Sequence, residues 1–217
     1  MRTADENAAI PSAPARREAR VFAEIMRVID WFIPDAIRSE RNELPVWRNF
    51  VFTHLAGPLL SQAISVYLYN TDTTHGFACW TMIGCICAFW LLPFVLKYTA
   101  SLAIAASASV QMLCLASLFG AFFYGGVTSP FLPWILVAVL LGFFYLSDRP
   151  KFVALQLACN IGAFALAYTL FGFREIVPAG ELTRVGWISV MSGSIYMAWM
   201  AIFYSKIMSM RSELQRE

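Results

Sequence analysis

The stretch Thr99–Tyr124, TASLAIAASASVQMLCLASLFGAFFY, decides how this chain folds. It holds no Asp, Glu, Lys or Arg, and it exceeds the roughly 20 apolar residues a helix needs to cross ~30 Å of hydrocarbon. Five comparable runs flank it: Arg48–Tyr69, Phe77–Leu96, Pro130–Leu146, Phe152–Phe171 and Val185–Tyr204. Hydrophobic residues form 59% of the 217, and the mean hydropathy is +0.62, beyond the range of a water-soluble domain. The runs are continuously apolar, without the alternation that a barrel lumen imposes. The fold class is therefore all-α, a six-helix transmembrane bundle occupying residues 47–204.

Charge placement supports an even number of crossings. Arg2, Arg16, Arg17, Arg20, Arg27, Arg38, Arg41 and Arg48 precede the first run. Lys97, Arg149, Lys151, Lys206, Arg211 and Arg216 fall on the same side if there are six crossings. Only Arg174 and Arg184 fall opposite, so both termini are expected in the cytoplasm. The net charge of +2 carries no signal for nucleic acid.

Residues 1–15, with Pro11 and Pro14, read as a flexible cytoplasmic tail and not as a secretory signal. Over residues 16–46 the pattern changes. Val21, Ile25, Val28, Ile29, Phe32 and Ile33 recur at helical spacing, with Arg17, Arg20, Glu24, Arg27 and Asp30 on other faces. That predicts an amphipathic N-terminal helix, either interfacial or packed on cytoplasmic protein, broken at Pro34. At the other end no Gly or Pro follows Gly193, so the sixth helix is expected to continue through residues 205–217. Ile207, Met210 and Leu214 repeat the a/d spacing of a coiled coil, which reads as the start of a signalling helix and implies a homodimer. A charged stop-transfer tail is the alternative.

Catalytic and metal chemistry is absent from the pattern. The spans hold no acid or base of the kind that carries proton transfer or ion conduction. His54 and His75 fall at opposite ends of the first span and cannot share a metal; His54 reads as an interfacial hydrogen-bonding residue. Cys79, Cys85, Cys87, Cys114 and Cys159 all lie in spans, and Cys85 and Cys87 sit on nearly opposite helix faces. Ser101, Ala105 and Ser109, and again Ala154, Ala158 and Gly162, repeat at four-residue spacing, as packing faces do in lipid.

One segment carries a candidate site: Tyr124-Gly125-Gly126-Val127-Thr128-Ser129-Pro130-Phe131, followed by Pro133 and Trp134. Two glycines permit positive φ, Thr128 or Ser129 can cap the next helix, and Pro130 can start it. A structural turn explains these residues fully. The same residues also offer amides, hydroxyls and the rings of Tyr124, Phe131 and Trp134 to a flat amphiphile at the membrane edge.

The segment resembles the GG-x-T-N-P-F turn of RegB-type redox-sensing histidine kinases, with Ser129 where that pattern has Asn. The resemblance implies a bound quinone and a place in a bacterial inner membrane. It also implies a six-span sensor whose last helix feeds a cytoplasmic output domain. The expected function is thus the sensor or anchor domain of a signal-transducing receptor, without catalysis of its own. The alternatives are a ligand-free dimerising anchor of a nucleotide cyclase, or a small transporter or accessory subunit.

Overall fold

The computed structural model describes the backbone of residues 13–40, 42–178 and 180–214, and within them the side chains from 20 to 209. Among the described residues all regular structure is helical. The helices are α1 (Ala13–Trp31), α2 (Asp35–Arg38), α3 (Leu44–Thr71), α4 (Phe77–Ala88), α5 (Leu92–Thr99), α6 (Leu102–Phe123), α7 (Trp134–Tyr145), α8 (Pro150–Phe171) and α9 (Thr183–Leu214). Most of the expected tail falls outside the described residues, and α1 already begins at Ala13.

Five stretches are long and apolar enough to span a membrane: α3, the α4–α5 pair, α6, α8 and α9. The α4–α5 pair is one run, Phe77–Thr99, tightened to a 3₁₀ turn at Phe89–Leu91. Pro93 explains the tightening, because it has no N–H for the carbonyl four residues back, at Phe89. α7 is shorter than expected. Pro130 does not start it: residues 130–133 form turns and Pro133 is the N-cap, which leaves twelve helical residues, about 18 Å.

α3 packs on α4 and α9, α4 and α5 pack on α6, α6 packs on α7, and α7 packs on α9. These contacts close a ring. α8 lies outside it, against α6 and α7. Ala105 and Ser109 of the first small-residue face are fully buried in the ring, whereas Ala154, Ala158 and Gly162 on α8 are exposed. A ladder of amides holds α8 in place. Asn160 Nδ2 donates to Gln111 Oε1 at 2.9 Å, Gln111 Nε2 donates back to Asn160 Oδ1 at 2.8 Å, and Gln156 Nε2 donates to Gln111 Oε1 at 3.1 Å.

The N-terminal stripe divides. Ile29, Phe32 and Ile33 are buried with Trp47, Phe50, Leu92 and Leu96, while Val21, Phe22, Ile25 and Val28 are exposed. Arg48 clasps Asp30 through two bonds of 2.7 Å, and Lys97 Nζ stands 2.9 Å from the centroid of the Trp31 ring. α9 continues unbroken past Tyr204 to Leu214. Ile207, at the head of the expected seam, is 6% exposed within its own chain; the side chains of Met210 and Leu214 lie outside the described residues.

Candidate functional site

The expected site residues separate into three groups. Tyr124, Gly125 and Gly126 build the turn. Gly125 and Gly126 have φ of 89° and 55°, where a side chain is strained, and a Cβ on Gly126 would meet the Phe173 ring at 2.8 Å. Tyr124 is fully buried, and its hydroxyl donates to Asp72 Oδ2 at 2.7 Å, so its ring is covered by the protein. Asp72 also accepts from the Thr74 amide and hydroxyl. Burial alone would raise the Asp72 carboxyl, but the bonds from Thr74 and Tyr124, with His75 nearby, outweigh it and hold the group below its ordinary range. Asp72 was missed in the sequence because nothing in its local spacing points to a tyrosine fifty-two positions away.

Thr128, Ser129 and Pro130 form the second group. They line an outward groove of about 520 Å³, whose far wall is the start of α9: Leu182, Thr183, Gly186, Trp187 and Val190. The turn's polar groups are largely engaged internally. Thr128 Oγ1 donates to the Gly125 carbonyl at 2.8 Å, and Ser129 Oγ accepts from the Phe131 amide at 3.3 Å, capping the turn and not α7. The aromatic ring available to a ligand here is that of Trp187, 68% exposed, and not that of Trp134.

Phe131 and Trp134 turn the other way, into the ring. Trp134 Nε1 donates to Ser189 Oγ at 2.7 Å, and Ser189 Oγ donates to the Pro130 carbonyl at 2.5 Å. This clasp fixes α9 to the start of α7. A Cβ on Gly120 would meet the Phe131 ring at 2.6 Å, so glycine is what lets that ring pack on α6.

Inside the ring lies a cavity of about 70 Å³. α3 contributes Thr53, His54, Gly57, Pro58, Ser61 and Ile64, and the other walls include Phe89, Ala116, Phe131, Trp134 and Tyr196. Gly57 leaves space here because it has no side chain, and Pro58 leaves the His54 carbonyl without its helical donor. Tyr196 of α9 closes over Gly57, where a Cβ would stand 3.2 Å from its ring.

His54 is a hydrogen-bonding residue, as expected, and it bonds inside the protein, at 2% exposure in the middle of this packing. Its Nδ1 lies 2.7 Å from the Phe50 carbonyl and its Nε2 2.6 Å from Ser109 Oγ. A neutral ring protonated on Nδ1 satisfies both, donating to the carbonyl and accepting from the serine. Nearer the basic end, Asn49 Nδ2 donates to the Tyr145 hydroxyl at 2.8 Å and Trp199 Nε1 donates to Asn49 Oδ1 at 3.1 Å. Thr53, 4% exposed and with its Oγ1 fully covered, sits beside the same Tyr145 hydroxyl.

Among the described residues no cluster of three His, Cys, Asp or Glu side chains could hold a metal. Cys79 and Cys114 are buried, Cys85 and Cys87 half-buried and Cys159 exposed, all as free thiols. What the arrangement offers is two recesses, one on each side of the Ser189 clasp, and both walled in part by α9. No family model, curated protein or solved structure matches the chain.

Proposed function

We propose that this chain is the membrane sensor domain of a bacterial signal-transducing receptor, with α9 as its output element. The observation that carries the reading is the position of α9. One continuous helix of 32 residues, about 48 Å long, walls both recesses and then runs on beyond any ~30 Å hydrocarbon layer. A ligand that changes either recess changes the packing of the helix that leaves the membrane.

Six crossings fit this reading, with α7 and the turns from Pro130 as the fourth. A short helix serves there because much of the irregular backbone before it is covered by protein: Tyr124, Gly126, Ser129, Pro130 and Phe131 are buried, with Val127, Thr128 and Pro133 at the outer surface. Both termini then lie in the cytoplasm with the basic residues, and α9 meets its counterpart in a homodimer. The outer groove is the seat of a lipid-borne neutral amphiphile, and the resemblance of the turn makes a quinone the candidate. The ring stacks on Trp187, and a quinone carbonyl accepts a hydrogen bond when the Thr128 or Thr183 hydroxyl turns outward from the Gly125 or Gly180 carbonyl to which it now donates.

Titration of the purified protein in nanodiscs with a short-chain quinone, read by tryptophan quenching, tests this. One aromatic stack and one hydrogen bond contribute about 1 kcal/mol each, so Trp187→Leu with Thr128→Val weakens binding roughly tenfold to thirtyfold. A parent that binds no quinone favours the ligand-free dimerising anchor. The same outcome with a monomeric protein favours the accessory subunit.

A further inference from the structure

We propose that the free half of α1 is a membrane-docking surface, whose apolar face seats among anionic lipid headgroups at the basic end of the bundle. That face is one stripe with two fates. Phe22 and Ile25 lie on the same side of the helix as Ile29, and Phe32 and Ile33 follow just past its end. Ile29, Phe32 and Ile33 are buried against Trp47, Phe50, Leu92 and Leu96. Val21, Phe22, Ile25, Val28 and Trp31 are exposed. From Phe22 to Ile29 the helix rises about 10 Å, so the stripe outruns the protein that covers it. Contiguous large apolar side chains left open in this way mark an interaction surface. Glu24 and Arg27, paired at 2.7 Å, lie on the opposite, polar side.

Three observations name lipid as the occupant. The first is depth. The covered end of α1 is fixed to the ends of two spans: Arg48, near the start of α3, clasps Asp30, and Lys97, in the last turn of α5, stands over the Trp31 ring. Basic and tryptophan side chains at span ends mark the headgroup level. The second is what adjoins the face. The Trp31 ring meets the Phe94 ring edge-on at 6.2 Å. Phe94, with Leu91 and Tyr98, is exposed on a stretch apolar enough to span the membrane, so the free face of α1 runs into a surface that lipid covers. The third is charge. Residues 16–27 carry Arg16, Arg17, Arg20 and Arg27 against Glu18 and Glu24, a basic excess. An apolar face joined to a basic excess is what an interfacial helix presents to anionic lipid. None of this rests on the sensor reading or on a quinone.

The test uses the full chain, without its five native cysteines, in nanodiscs of phosphatidylcholine alone or mixed with phosphatidylglycerol. Spin labels at Val21→Cys and Ile25→Cys probe the apolar face, and one at Ala23→Cys probes the polar side; all three positions are exposed. Power saturation compares collisions with oxygen, which concentrates in lipid, and with a water-soluble nickel chelate. In the mixed discs the Val21 and Ile25 labels are expected to meet oxygen and exclude nickel, and the Ala23 label to meet nickel. Phe22→Ser is expected to lower the ratio of seated to free helix, read at Ile25, roughly tenfold. Removing phosphatidylglycerol is expected to lower it by a similar factor, read in the Phe22→Ser background if the parent is fully seated in both lipids. Apolar-face labels as open to nickel as the Ala23 label overturn the docking surface. Apolar-face labels shut off from oxygen and nickel alike mean that protein, such as a second copy, covers the face, and overturn it too. An equal ratio in the two lipids overturns the anionic assignment.

Discussion

α6 and α8 are both 22 residues long, both apolar enough to span a membrane, and packed side by side, yet half of the α6 window is buried in the protein and 6% of the α8 window. The difference teaches that apolar character in lipid reports the solvent and not the neighbours. Leu155 and Leu166 on α8 face outward with no penalty, because lipid is as apolar as a protein core. What distinguishes α6 is the use of its small and polar residues. Ser109 and Gly120 meet partners inside the ring, at His54 and Phe131, whereas Ala154, Ala158 and Gly162 on α8 are exposed. α8 is attached by its buried Val153 and Asn160 and by the amide ladder.

The largest contrast is expected from one methyl group. Gly120→Ala forces a Cβ to 2.6 Å from Phe131 and is expected to destabilise the bundle by about 1–3 kcal/mol, while Gly162→Ala meets nothing within 4 Å and stays within ~0.5 kcal/mol. Reversible unfolding in mixed detergent measures both, and equal effects would break the distinction between ring and periphery.

The amide ladder sharpens it. Asn160→Leu strands the Gln111 amide and is expected to cost about 1–2 kcal/mol, whereas Gln111→Leu with Asn160→Leu leaves a smaller loss, because both partners are then apolar. A double variant worse than the sum of the singles would mean that the ladder does more than hold α8.

The smallest expected effect is at the Asp72–Tyr124 bond, which ties α3 to the end of α6. The folded carboxyl titrates below its ordinary value near 3.8, so the stability it supplies is fully present above that pH and is lost as pH falls through the lower folded value. Asp72→Asn is expected to cost about 1 kcal/mol at pH 7, with the gap to the parent beginning to narrow as pH falls below 3.8 in unfolding curves. A gap that stays constant as pH falls below 3.8 and through the acid range would contradict the linkage.

The spans were legible because charge is forbidden inside them; the ends of α6 and α8 fall within a few residues of the expected boundaries. α7 was misjudged because hydropathy does not register that Pro130 and Pro133 delay its start. The turn at Gly125 and Gly126 was legible in its glycines, but the destination of its aromatic residues was not. Phe131 and Trp134 point into the ring through contacts with Gly120 and Ser189, far away in sequence. Thr53, Asn49, Ser189 and Tyr196 were invisible for a related reason. A lone polar residue in a long apolar helix has no periodic signature, and helix faces toward lipid and core are equally apolar.

The central claim is that α9 answers to what fills the ring, and a distance measurement tests it most directly. Spin labels at Met208→Cys and Tyr98→Cys, both exposed positions, are placed in a background lacking the five native cysteines. The separation is then compared between the parent, Ala116→Leu inside the cavity, and Ala158→Leu on the outer face of α8. Ala116→Leu is expected to shift the distance by about 1–2 Å or more, and Ala158→Leu to leave it unchanged. An unchanged distance in Ala116→Leu, or the same shift in both variants, would contradict it.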